Sequence, residues 1–180
     1  MGSIYDDLWR RRRSLQPDVA KEEPASPALV RYHTNEMSFD RPAVLKDKSL
    51  HMLTLNESGP SPFSLMITRG SIDEEETLSR AALRIAEECE KVMHDPTIIE
   101  PATACQIGEL DAIKMSYKWH QNGMLLHQKH YIVIKNDEYN QRLLIQFTAT
   151  SNSPTGFSTT DIELITTILN SIQWRQIDKA

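Results

Sequence analysis

MLLHQKHYIVI (124–134) and RLLIQFTAT (142–150), joined by the polar run KNDEYN (135–140), decide the fold. β-Branched, aromatic and other apolar residues fill the two outer runs. Asn136, Asp137 and Asn140 sit between them, which is the chemistry of two strands and a turn. Side chains alternate between the two sides of a strand. Leu126, Gln128, His130, Ile132 and Ile134 therefore share one side, and Leu125, His127, Lys129, Tyr131 and Val133 the other. Neither side is purely polar. A sheet built on this pair carries apolar surface on both sides, and each must be covered by the chain's own helices or by a partner.

Immediately upstream, AIKMSYKW (112–119) alternates cleanly, with Ile113, Met115, Tyr117 and Trp119 on one side and Lys114, Ser116 and Lys118 on the other. Gln121-Asn122-Gly123 reads as a tight hairpin turn into the deciding pair. Residues 106–111 resemble a strand and turn, and 97–103 a strand or an extended connection. Nearer the N-terminus, a short strand is predicted over 31–39, broken by Arg41-Pro42. A second follows over 49–55, with Leu50 and Met52 on one side and Leu53 and Leu55 on the other. A Ser-, Gly- and Pro-rich turn over 56–62 leads to a third over 63–69.

Two helices are predicted. Ser71-Ile72-Asp73-Glu74 has the form of a capping box, and the acidic run to Glu76 suits a helix N-terminus. That helix should run to about Met93 on a stripe of Leu78, Ala82, Ile85, Cys89 and Val92, widened by Ala81, Ala86 and Met93, and end at Asp95-Pro96. Thr160-Asp161-Ile162-Glu163 predicts a second capped helix, ending near Trp174-Arg175, with Ile162, Ile165, Leu169 and Ile172 on its buried stripe. The order of elements gives an α+β domain, an antiparallel sheet flanked by two main helices.

The chain has 180 residues, room for one domain over about 30–176. Residues 1–29 read as a solvated Pro- and Arg-containing tail, native or vector-derived, and 177–180 as a short C-terminal tail. A net charge of -5 gives no general attraction to nucleic acid or to an anionic membrane. No apolar run approaches the ~18 residues that span a bilayer, and no signal-peptide pattern opens the chain. The two cysteines, Cys89 and Cys105, form no paired motif. A cytoplasmic protein is expected.

Little in the sequence suggests catalysis. His127 and His130, three apart on a strand, point to opposite sides and share no metal there. No P-loop, G-x-G-x-x-G, G-x-S-x-G or H-E-x-x-H occurs. Asp73, Glu74, Glu75 and Glu76 are accounted for by a helix start, and Cys89 by packing. No enzyme, metal or cofactor is expected. Gln128 and Gln146 stand out as polar residues in apolar strands. They occupy either a solvated side of the sheet or an apolar trough, where their amides bond a bound segment.

The ordered set Asn35-Glu36, Phe39, Pro42, Asp47 to Leu53, Pro62 to Arg69, Gln128 and Phe147 to Ser151 resembles the DcrB-related family, and within it the Eag-type, SciW-like chaperones of type VI secretion. The resemblance spans about residues 31–176. It implies a Mog1/PsbP-like fold and a cytoplasmic homodimer. It also implies cargo, the N-terminal transmembrane helices of a secreted Rhs or PAAR-containing effector, which the chaperone shields and helps load onto the VgrG spike. On that basis Leu50, Met52, Met124 and Gln128 are expected to line a cargo trough, with Ile85, Cys89 and Met93 at its helical rim. The competing expectation is a DcrB/PsbP-like binding or scaffold module without membrane-helix cargo.

Overall fold

The computed structural model describes residues 28–33, 36–45, 48–136 and 141–174. The chain falls into two units, residues 1–45 and 46–180. In the first, β1 (Leu29–His33) pairs antiparallel with β2 (Ser38–Pro42). The single strand expected over 31–39 is thus a hairpin. Its cross-strand partners account for it: Tyr32 faces Phe39 with ring centroids 5.2 Å apart, and Arg31 meets Asp40 at 3.0 Å. Pro42 does not break β2 but ends it, a position where no further ladder donor is required. Most of the expected tail, the 137–140 part of the central turn and residues 175–180 lie outside the described residues.

The second unit holds one six-stranded sheet in the order β3-β4-β8-β7-β6-β5, every described pairing antiparallel. Its strands are β3 (Leu50–Thr54), β4 (Phe63–Ser71), β5 (His94–Ile107), β6 (Leu110–Gln121), β7 (Met124–Asn136) and β8 (Arg142–Ser151). The deciding pair, β7 and β8, lies at its centre. Asn122 and Gly123 link β6 to β7 with φ of 52° and 80°, the two left-handed residues that a type I′ turn requires.

Two helices cover opposite sides. α1 (Leu78–Val92) packs Ala82 and Ile85, with Met93 just beyond, on Met115, Tyr117 and Ile132. α2 (Thr159–Ser171) packs Ile165 among Phe63, Leu65, Val133, Phe147 and Ala149. Ile132 and Val133 are neighbours on β7 and are both fully buried, one under each helix.

Three expectations for the helices need correction. Ser71 is the last residue of β4, opposite Leu143, so it caps nothing. α1 starts six residues later, where the Thr77 hydroxyl accepts from the Arg80 N–H, and no acidic residue stands in its first turn. Residues 73–76 form an approach turn instead. The Arg142 guanidinium clasps it, donating to the carbonyls of Asp73 at 2.8 Å, of Glu74, and of Glu76 at 2.7 Å. Val92 is 78% exposed, so it leaves the buried stripe. The second capping box uses Ser158 and Asp161, two residues earlier than expected, which turns Ile162 outward.

Asp95-Pro96 ends α1 only in the sense that β5 has already begun. β5 is a continuous edge strand of 14 residues, and its register shifts fall at Pro96, at Ile99 and at Pro101. A proline cannot donate to a ladder, so it is accommodated at an edge where the pairing slips. Ile132→Ala should cost about 2–5 kcal/mol, because the side chain is wholly enclosed under α1. Urea unfolding followed by circular dichroism checks this.

Candidate functional site

α1 lies over β5, β6 and β7. The same side of the sheet continues across β8, β4 and β3. Antiparallel register places its side chains in rows, because directly opposed residues point the same way. One row runs Met52, Met66, Thr148, His130, Met115 across five strands. A second runs Leu50, Thr68, Gln146, Ile132, and a third runs Thr54, Ser64, Thr150, Gln128, Tyr117. Each row begins under α1 and ends in the open. Leu50 is 54% and Met52 58% exposed, and neither they nor Met66 join either hydrophobic core cluster.

The open half is lined by methionine, leucine, threonine and glutamine, and its two glutamine amides are paired with neighbouring side chains. The Gln128 amide donates to the Thr150 hydroxyl at 3.1 Å. The Gln146 amide reaches His130 Nδ1 at 2.9 Å and the Thr148 hydroxyl at 3.1 Å. With Nδ1 accepting, the His130 proton sits on Nε2, which is buried without a hydrogen-bond partner among the described residues. The ring meets the Tyr117 ring edge-on, centroids 5.8 Å apart. Burial lowers the His130 pKa from 6.5 to about 4, so the imidazole is neutral at ordinary pH.

The residues expected to form a trough divide into three groups. Leu50, Met52 and Gln128 fall on the open half or its border with α1. Met124 shares their side of the sheet but lies at the far end, opposite Gln121 beside the β6–β7 turn, 54% exposed. Ile85 and Met93 are buried, and Cys89 is half-buried in the same cluster, so these three face their own core under α1. Burial also pushes the Cys89 thiol up, away from reactivity. Met66, Thr68, Gln146 and Thr150, each half-buried, form the middle of this half, with Thr148 buried among them; the sequence expectation places Gln146 on a solvated side or in a trough and Met66 on a cargo-accepting surface, and does not include the three threonines. Only the strand order, β4 beside β8, brings them to Leu50 and Met52. Among the described residues no three His, Cys, Asp or Glu side chains gather to hold a metal ion, and no helix is long and apolar enough to cross a membrane.

Comparison with known proteins adds a family and a fold. The family model described as DcrB matches residues 36–171. The crystal structure of PA94 from Pseudomonas aeruginosa, a protein of unknown function, is similar with a TM-score of 0.62 at 17% identity, over 82% of this chain and 98% of that one. LpqN of Mycobacterium tuberculosis, involved in cell envelope biogenesis, aligns with a TM-score of 0.46 at 13% identity, over 84% of this chain and 85% of that one. No curated protein matches by sequence.

The buried imidazole sets a pH dependence. Between about 4 and 6.5 the unfolded chain binds a proton at His130 that the folded chain does not. Stability therefore falls as pH drops through that window, by up to about 3 kcal/mol from this group. His130→Met should remove that share of the slope in urea midpoints measured from pH 7 to pH 4.

Proposed function

This chain belongs to the DcrB family, and we propose that within it the protein is a non-catalytic Eag-type chaperone of type VI secretion. On this reading it has a Mog1/PsbP-like fold and works in the cytoplasm as a homodimer. It shields the N-terminal transmembrane helices of an Rhs or PAAR-containing effector and promotes loading onto VgrG. One observation carries the proposal. Half of the sheet side beside α1 is uncovered, and it presents Leu50, Met52 and Met66 as an apolar strip bordered by threonine and glutamine.

The dimensions suit such a cargo. β7, β8, β4 and β3 lie ~4.8 Å apart, so the open half is about 14 Å wide, and β4 and β8 make it ~30 Å long. An α-helix is ~10–12 Å across and needs about 20 residues to span ~30 Å of hydrocarbon. Each protomer then takes one helix laid along the strands. Every ~100 Å² of apolar surface so covered contributes about 2.5 kcal/mol before ordering costs. Methionine adapts to helices of different shape, and glutamine and threonine offer the kind of polar contact that neighbouring membrane helices offer one another.

One observation favours the competing reading of a DcrB/PsbP-like scaffold without membrane-helix cargo. The amides of Gln128 and Gln146 already have partners inside the sheet, so neither needs cargo to be satisfied. Co-expression with the N-terminal region of a candidate effector, followed by pull-down, separates the two. Leu50→Glu and Met52→Glu lie on exposed positions and should leave stability within ~0.5 kcal/mol. Each should lower cargo recovery at least tenfold. Recovery at the wild-type level in both variants overturns the chaperone reading.

A further inference from the structure

On the other side of the sheet, a cleft of about 330 Å³ lies between the end of α2 and strands β3, β4 and β8. Strand register places His51, Ile67 and Phe147 in one row of its lining, with Ile145 in the next row. Ile168 on α2 and Trp174 just past its end wall it from the helix side. Phe147 is buried, Ile67, Ile145, Ile168 and Trp174 are half-buried, and His51 and Gln173 stand exposed at the edge. The Trp174 wall is fixed at two points. Its indole N–H donates to the Ile107 carbonyl at 2.8 Å, and its ring lies over Gly108, where a Cβ would come within 3.1 Å of the indole nitrogen. Gly108 has a φ of +59°, so both its conformation and the closeness of the ring call for glycine.

We propose that this cleft binds a neutral single-chain amphiphile, of the class of medium-chain primary alcohols. Its volume is at the small end of the ~300–1,000 Å³ typical of ligand sites, enough for one alkyl chain and too little for a helix ~10 Å across. The aliphatic and aromatic walls favour burial of a hydrocarbon chain. The head group is set by what the edge leaves unclaimed. Arg69 lies there, but it already has an interaction partner and offers no spare charge. An ionised head group would therefore lose hydration without meeting a free opposite charge. The side chains of His51 and Gln173, by contrast, have no hydrogen-bond partner among the described residues. An amide carries donors and an acceptor, a neutral imidazole one of each, and a hydroxyl can both donate and accept. A hydroxyl head thus suits this pair without any charge. His51 holds the hydroxyl by a hydrogen bond, and an alcohol offers it no acidic proton to remove. The site is separate from the open half beside α1, so it does not depend on the chaperone reading.

1-Octanol, titrated into the isotopically labelled full-length protein, should shift the Trp174 indole N–H resonance saturably, the signal being assigned by its loss in Trp174→Phe. Across 1-hexanol, 1-heptanol and 1-octanol, calorimetric affinity should rise roughly threefold to fourfold per methylene. Octanoate should bind at least tenfold more weakly than 1-octanol. Ile168→Trp, which fills the cleft, should weaken 1-octanol at least tenfold. His51→Ala and Gln173→Ala, both at exposed positions, should each weaken 1-octanol about twofold to tenfold. Both should leave the binding of 1-chlorohexane, which has no hydroxyl, unchanged. The proposal is overturned by an absent or unsaturable response, by affinity that ignores chain length, by octanoate binding as tightly as 1-octanol, or by wild-type 1-octanol affinity in either alanine variant. It is also overturned if binding appears only when residues 175–180 are deleted, because the cleft then belongs to the chain's own C-terminus.

Discussion

The structure depends on a mismatch between the width of its sheet and the width of its helices. Six strands at ~4.8 Å spacing make a sheet about 24 Å across, while a helix with its side chains covers ~10 Å. Central strands such as β7 are apolar on both sides, as the neighbours Ile132 and Val133 show, and each side receives one helix. One helix cannot roof six strands. Where each helix lands therefore decides which surface stays uncovered.

For α1 that position is set locally. Ile72 N–H donates to the Arg142 carbonyl, extending the sheet by one bond at the end of β4. Arg142 then gathers the carbonyls of the approach turn, and Thr77 caps the helix. Arg84, about two turns into α1, returns to Glu76 at 3.0 Å. That ion pair is too exposed to count for much alone. It does tie the helix to the same turn that Arg142 holds. The helix so directed crosses to β6 and β7, and the strip over β3, β4 and β8 stays open.

Much of this was legible in the sequence, for a physical reason. Alternation over 112–119 and 124–134 is a local signal, because burial under α1 or α2 imposes period two on each strand, and Asn122-Gly123 fixes the hairpin between them. The helix starts were misread because Ser-x-x-Glu and Thr-x-x-Glu patterns occur several times in a polar run. Ladder pairing, which a local pattern does not record, takes Ser71 for β4. The candidate site was half legible. Leu50 and Met52 stand out as apolar residues on a two-sided strand, and Gln128 and Gln146 as polar ones. That Met66 and Thr148 lie between them follows from the pairing of β4 with β8, residues 72 or more apart in the chain. The rim residues Ile85, Cys89 and Met93 carry the same apolar signal whether they face a core or a trough, and sequence periodicity cannot separate the two.

How an apolar strip stays open in water is then a matter of its composition. A run of isoleucine and valine here would extend the flat, β-branched surface that promotes sheet-to-sheet association. The rows instead alternate Met52 and Met66 with Thr148, and Leu50 with Thr68 and Gln146. Each threonine or glutamine interrupts the apolar contact, and the glutamines bond their threonine neighbours, Gln128 to Thr150 and Gln146 to Thr148. The exposed apolar area is thereby confined to a narrow strip along β3 and β4. The same division favours a partner that is narrow, apolar along one side and able to tolerate polar contacts at intervals. A helix meets all three conditions, and a second flat sheet meets only the second.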